Sequence, residues 1–273
     1  MARVMVRDSE SHDDLWRRRG ASFGDQAAAY AEHRPDYAEA AVGWALEPVR
    51  DRAQLRVLDL GAGTGKLTAT ITRLAAAGPA GQLSVVAVEP DPAMLAELRR
   101  GQPGVRSLAG KAEDIPLPDA SVDAVLCGQA AHWFDMDLAV PEVARVLTPG
   151  GVFAGLWNMD DDTEDWVAGL SRVCPLSSTL TGWRNEPDNW PGRTPASALF
   201  RAAERAEFGH GHLRTADSLV ATIATHSRLL VMDPAERELL LDRVRDYLRS
   251  RPETATGEFR VPMVTGVLRS VKK

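Results

Sequence analysis

Two carboxylates and three glycines near the start of the main apolar pattern are the residues of this 273-residue chain best suited to chemistry. Residues 55–68 (LRVLDLGAGTGKLT) read as an apolar strand that breaks at Gly61, Gly63 and Gly65 and continues as a helix. Glycines at such a turn allow positive φ angles and let the backbone approach a ligand closely, both of which a Cβ would oppose. Asp59, at the strand's end, offers its carboxylate to a ligand's ammonium or to loop N–H groups, and would repel the phosphates of a dinucleotide. A second acid, Glu89, closes the apolar run at 83–89 and stands 24 residues past Gly65. At that spacing one carboxylate can accept both hydroxyls of a ribose. Bare backbone and two acids thus describe a pocket for a nucleoside whose other end is cationic. His132, just past a later apolar strand, is the candidate proton acceptor or acceptor-orienting group beside it.

The glycine spacing is G-x-G-x-G and lacks the third glycine of a dinucleotide fingerprint, with Lys66 and Leu67 close to its expected place. This favours S-adenosylmethionine over NAD, and with it methyl transfer over hydride transfer. Displacement at a sulfonium uses a reagent that is already activated, so alignment and exclusion of water supply much of the rate. A carboxylate acceptor needs no base; a hydroxyl, an enol carbon or an amine gains from one. Pro90 and Met94 are candidates for the adenine side, although Met94 also fits a helix core with Leu95 and Leu98. Trp133, Trp157 and Asn158 fall at the carboxyl edge of the expected sheet, where open α/β folds hold ligands, and are candidate acceptor contacts.

Five ordered blocks carry a likeness: residues 23–37 (FGDQAAAYAEHRPDY), the glycine loop, residues 110–119 (GKAEDIPLPD), residues 131–135 (AHWFD) and residues 146–158 (VLTPGGVFAGLWN). With them the chain resembles class I S-adenosylmethionine-dependent methyltransferases, specifically the small-molecule group that includes ubiquinone and menaquinone biosynthesis enzymes and trans-aconitate methyltransferases. The resemblance implies an α/β fold: a doubly wound, Rossmann-like, seven-stranded and mostly parallel sheet with an antiparallel final strand, an N-terminal helical lid and a helical or irregular cap. It also implies transfer of a methyl group to oxygen or carbon of a small organic acceptor, releasing S-adenosylhomocysteine. A peptide- or RNA-modifying methyltransferase, and a cyclase or binding protein that retains the cofactor, are the alternatives. Lid residues Phe23, Tyr30 and Arg34 would then close on the ligands, Arg34 clamping the cofactor carboxylate. Gln129, Ala112 and Glu113 would join the cofactor site. Lys111 stands where the family usually has Asp or Asn, and lysine cannot accept a hydrogen bond from the adenine amino group. Glu113 or Asp114 would take that role, or the Ala112 backbone alone would read the ring.

The remaining composition narrows partners. A net charge of −6 is at odds with the basic surface that nucleic acid requires, so no nucleic acid is expected. Two cysteines without metal-ligand spacing, and no apolar leader, point to a reducing cytoplasm and no zinc. Asp160, Asp161 and Asp162 read as a solvated acidic loop, and His210 with His212 as an exposed strand edge. No apolar run approaches the roughly 18 residues of a membrane span. A monomer or homodimer acting on a small molecule is expected.

These sites need a scaffold, and the chain alternates as one would. Residues 1–22 read as a tail, 23–50 as lid helices, 51–157 as the cofactor-binding core, 158–205 as a substrate-side cap rich in tryptophan, and 206–273 as the rest of the core with added helices. Strands are expected near 55–60, 84–89, 104–108, 122–127, 151–157, 206–213 and 258–270. Helices are expected near 25–33, 36–50, 65–77, 92–100, 137–147, 164–173, 196–204, 216–228 and 234–250.

Overall fold

The computed structural model describes residues 27–78, 82–185 and 198–273. Seven strands form one sheet: β1 (Leu55–Leu60), β2 (Leu83–Glu89), β3 (Arg106–Ala109), β4 (Val122–Gly128), β5 (Leu147–Asp160), β6 (Glu204–Arg214) and β7 (Phe259–Val271). Their order across the sheet is 3-2-1-4-5-7-6. Strands β1 to β5 run parallel, while β7 is antiparallel to both β5 and β6. The central strands β1 and β4 are buried almost throughout, as near-continuous apolar runs must be when helices cover both faces. Strand order reverses between β1 and β4, so the crevice that binds ligands in such sheets opens at their carboxyl ends.

The helices are α1 (Ala27–His33), α2 (Glu39–Leu46), α3 (Lys66–Ala77), α4 (Pro92–Gly101), α5 (Met136–Val146), α6 (Asp165–Val173), α7 (Leu180–Asn185), α8 (Ala216–Ala224), α9 (Ser227–Leu230) and α10 (Pro234–Arg249). On one face, Ala41 and Val42 of α2 and Ile71 of α3 pack on Val57, Leu126, Leu156 and Val267. On the other, Val140 and Val143 of α5 pack on Leu58, Val125 and Phe153. A third cluster joins Trp166 of α6, Val220 of α8 and Val244 of α10 to Phe259 and Val261 of β7. Asp91 caps α4 by accepting from the N–H groups of Ala93 and Met94, and Asp233 caps α10 in the same way, each with proline in the first turn.

Four elements differ from the sequence reading. Residues 198–203 contain no α-helix, and β6 opens at Glu204, because an eleven-residue ladder with β7 outweighs the local helix propensity. The helix expected at 216–228 ends at Ala224 and resumes as α9. The helix at 36–50 gives way at Glu47 to a short 3₁₀ turn containing Pro48. Strand β5 runs from Leu147 to Asp160, well beyond 151–157, since β7 pairs with it as far as Asp160.

An ion cluster ties down the amino ends of the central strands. Asp123 accepts from Arg52 Nη1 at 2.6 Å, from Arg56 Nε and Nη2 at 3.0 Å each, and from Thr148 Oγ1 at 3.1 Å. Burial alone would raise the Asp123 pKa, but these bonds hold it below the usual carboxylate value.

Candidate functional site

A cavity of about 550 Å³ opens at the carboxyl ends of β1, β2 and β4. Its floor is the loop between β1 and α3, where Gly61, Gly63 and Gly65 have φ of 68°, 56° and 89°. A Cβ on Gly61 would lie 2.7 Å from Ala130 Cβ, so packing against the β4 loop demands glycine there. A Cβ on Gly63 would meet nothing within 4 Å among the described residues.

Asp59 is fully buried at this floor. Its Oδ2 accepts from Thr68 Oγ1 at 2.5 Å, whereas its Oδ1 has no hydrogen-bond partner among the described residues. Burial pushes the carboxyl up to about 7, against the Thr68 bond and with help from the nearby Glu89 charge. Glu89 Oε1 accepts from Asp91 N at 2.9 Å and its Oε2 from Gly63 N at 2.8 Å. Burial raises its pKa as well, opposed by those two N–H groups. Each Glu89 oxygen keeps a lone pair for a hydroxyl.

Pro90, Met94, Lys111, Ala112 and Glu113 line the end of the cavity beside β2. Met94 is also a core residue, 4% exposed. Glu113 Oε1 accepts from Asp135 N at 2.9 Å, and Asp114 is absent from the lining. At the end of β4 come Gln129, with φ of 54°, and a 3₁₀ turn, Ala131–Trp133, that brings His132 and Trp133 to the cavity. The His132 and Trp133 rings are 4.9 Å apart. Burial lowers the His132 pKa to about 4, so the imidazole is neutral at physiological pH and can take a hydrogen bond or proton.

The structure thus gathers Asp59, Gly61, Gly63, Glu89, Pro90, Ala112, Glu113, Gln129, His132 and Trp133 around one cavity. Other candidates stand elsewhere. Arg34 Nε donates to Thr225 Oγ1 at 3.1 Å and its Nη2 to Thr225 O at 3.3 Å, which turns the guanidinium toward the end of α8 and away from the cavity lining. Trp157 and Asn158 also miss the lining, because the longer β5 places them inside its ladder, opposite Gly266 and Thr265. Trp157 packs on Trp183, with ring centroids 5.4 Å apart. Tyr30 belongs to α1, and Phe23 is outside the described residues.

Tyr37 and Lys66 line the cavity although neither was singled out by type and spacing. Lys66 is the residue that fills the third-glycine position. Its Nζ is 3.7 Å from Asp36 Oδ1, and burial lowers its pKa. Lys66 and Lys111 are the cations of this lining, which does not include Arg34. The signal for Lys66 was its place at the first position of α3, directly after the glycine loop. His210 and His212 are half-buried where an exposed edge was expected, on the strand face shared with Phe208, which packs on Trp44. Among the described residues no group of three or more His, Cys, Asp or Glu is arranged to hold a metal, and no helix is long and apolar enough to cross a membrane.

Comparison with known proteins bears on this geometry. Residues 58–155 match the model of the methyltransferase domain family. An uncharacterized methyltransferase of Mycobacterium tuberculosis is 39% identical over 250 residues, which cover 91% of this chain and 95% of the relative. One of Schizosaccharomyces pombe is 38% identical over 247 residues, 89% of this chain and 94% of the relative. Among solved structures, one described as a type II methyltransferase from Anaeromyxobacter dehalogenans superposes with a TM-score of 0.56 at 24% identity, over 88% of this chain and 97% of that one. The last likeness concerns fold alone, but full-length relatives near 40% identity and a cavity set on a glycine loop between two carboxylates agree on one family. The chain belongs to the class I S-adenosylmethionine-dependent methyltransferases.

Proposed function

We propose that this methyltransferase takes its methyl group from S-adenosylmethionine and passes it to an oxygen or carbon of a small organic acceptor. The observation that carries the cofactor reading is Asp59: a fully buried carboxylate in the cavity floor, with one oxygen that has no hydrogen-bond partner among the described residues, suits a cationic hydrogen-bond donor. The cofactor's ammonium is such a donor. Glu89 keeps acceptor capacity for ribose hydroxyls, Lys66 suits the carboxylate, and Pro90, Met94 and Ala112 suit the purine. When bound, the cofactor supplies an activated methyl on sulfur. What the chain's own residues contribute is alignment and a dry wall, from Trp133 and Phe134. His132, neutral at physiological pH and part of the cavity lining, suits the role of accepting the proton of a hydroxyl or enol.

The small-molecule reading rests on the net charge of −6 and on the aromatic wall. On the same reading the enzyme acts in the cytoplasm, as a monomer or homodimer, without nucleic acid. Calorimetric titration with S-adenosylmethionine and S-adenosylhomocysteine tests the cofactor, and micromolar binding of both is expected. Binding of neither refutes it. An acceptor screen by mass spectrometry, beginning with carboxylic acids and phenols, tests the transfer; a cyclase or binding protein would bind the donor and never turn it into S-adenosylhomocysteine.

A further inference from the structure

Both peptide groups that flank Tyr37 are held by buried side chains. Asn158 Nδ2 donates to the carbonyl of Asp36 at 3.0 Å, and the N–H of Ala38 donates to Thr265 Oγ1 at 3.1 Å. Asn158 and Thr265 are register partners on β5 and β7, and the Thr265 hydroxyl donates to Asn158 Oδ1 at 2.7 Å. That hydroxyl has one proton. It is spent on an amide oxygen that can only accept, so His210 Nε2, 3.1 Å from Thr265 Oγ1, must carry its own proton and donate. Gln129 Nε2 donates to the backbone carbonyl of Asn158 at 2.9 Å. One asparagine therefore holds two separate pieces of the cavity wall through connected hydrogen bonds, and such a network restricts their arrangement.

The grip has an object. Tyr37 is 7% exposed and lines the cavity, and its phenol fills the niche above Gly128. A Cβ on Gly128 would lie 2.5 Å from the Tyr37 oxygen and 2.7 Å from Cζ. Gly128 ends β4, whereas Glu89 ends β2, on the opposite side of β1. A nucleoside with its ribose at Glu89 and its ammonium at Asp59 sends the rest of its methionine part toward β4 and Tyr37.

We propose that Tyr37 contacts the methionine half of the cofactor and that Asn158 and Thr265 are positioning residues that act on the cofactor through it. The inference rests on the cofactor reading above. Its test is a set of calorimetric titrations with S-adenosylhomocysteine, with thermal unfolding recorded for each chain. Asn158→Ala and Thr265→Val should each weaken binding by about tenfold, the scale of one lost buried hydrogen bond, while Thr265→Ser stays within about threefold. Tyr37→Ala should weaken it similarly, and the double variant Asn158→Ala with Tyr37→Ala should bind no worse than Tyr37→Ala alone. Gly128→Ala displaces the phenol while leaving every clamp bond intact, so it carries the test even if Asn158→Ala fails to fold, and the same tenfold loss is expected. Folded Asn158→Ala or Gly128→Ala chains that bind within about twofold of wild type overturn the proposal, as do losses that multiply in the double variant. A wild-type chain that binds neither cofactor form overturns the cofactor reading and this inference together; wild-type binding with unaffected variants overturns only this one.

Discussion

Exchanging Asp59 for asparagine changes a charge and almost no volume, and the buried carboxyl makes the outcome calculable. A group that titrates near 7 instead of its ordinary 3.8 is about 4 kcal/mol harder to ionise than in water, at about 1.4 kcal/mol per pH unit. Between those two values the folded chain keeps a proton on Asp59 that the unfolded chain has lost. Stability from this group is therefore greatest at low pH, falls as pH rises toward 7 and is level above. Asparagine does not titrate, can accept the Thr68 hydrogen bond, and places an amide where Oδ1 was. Without ligand, Asp59→Asn should gain on the wild type by about 1.4 kcal/mol per pH unit between pH 5 and 7. At pH 8 it should melt roughly 8–16 °C higher, since about 4 kcal/mol is worth 2–4 °C each in a chain of this size. The raised Glu89 pKa is common to both chains to first order. Thermal unfolding at pH 5, 6, 7 and 8 reads the effect, and titration with S-adenosylmethionine reads its counterpart, a loss of affinity in the variant. A stability difference that does not change with pH, or a variant less stable than wild type at pH 8, would refute the assignment of Asp59 as an unsatisfied buried acid.

Glu89→Gln keeps the shape but loses the charge-assisted bonds, and should weaken cofactor binding by about tenfold in calorimetry. His132→Ala should lower turnover more than cofactor affinity once an acceptor is in hand, and equal losses in both would move His132 to a cofactor-side role. Because the His132 pKa is near 4, this residue should impose no fall in wild-type turnover between pH 8 and 6. Asp123→Ala leaves Arg52 and Arg56 without their shared partner and should cost about 3 kcal/mol in urea unfolding at pH 7. The Asp123 pKa is depressed, so its contribution is present above its unfolded value near pH 4 and disappears as pH falls through the folded one.

The part of the cavity around Asp59, the glycine loop and Glu89 was legible because short stretches of backbone make it. Asp59, the glycines and Glu89 are fixed by a strand, its turn and the next strand, and local sequence pattern specifies each of these. The remaining candidates depend on contacts between residues far apart in the chain. Arg34 went to Thr225, 191 residues away, and no spacing argument reaches that far. Trp157 and Asn158 were placed at a strand end because β5 was expected to stop at 157; the ladder with β7 carried it to Asp160 and turned both residues into internal members. His210 and His212 alternate as an edge strand would, but the pattern holds no information about α2 and the 36–38 link lying over them. Lys66 was noticed as a missing glycine and not as a present cation.

The insertion of β7 between β5 and β6 fixes the order in which the protein can become whole. Strand β6 has β7 as its sheet neighbour, so residues 204–214 have no ladder to join until residues 259–271 arrive. A chain still being synthesised can assemble β1 to β5, with an open edge on β5 that invites foreign strands. Strand β7, which follows the other six in the chain, seals that edge. It also delivers Thr265, one of the two side chains that hold the peptide groups around Tyr37. Loss of residues 259–271 would cost far more than their number suggests, since it would unseat β6 and leave the loop glycines and both acids waiting in a pocket with one wall unfastened.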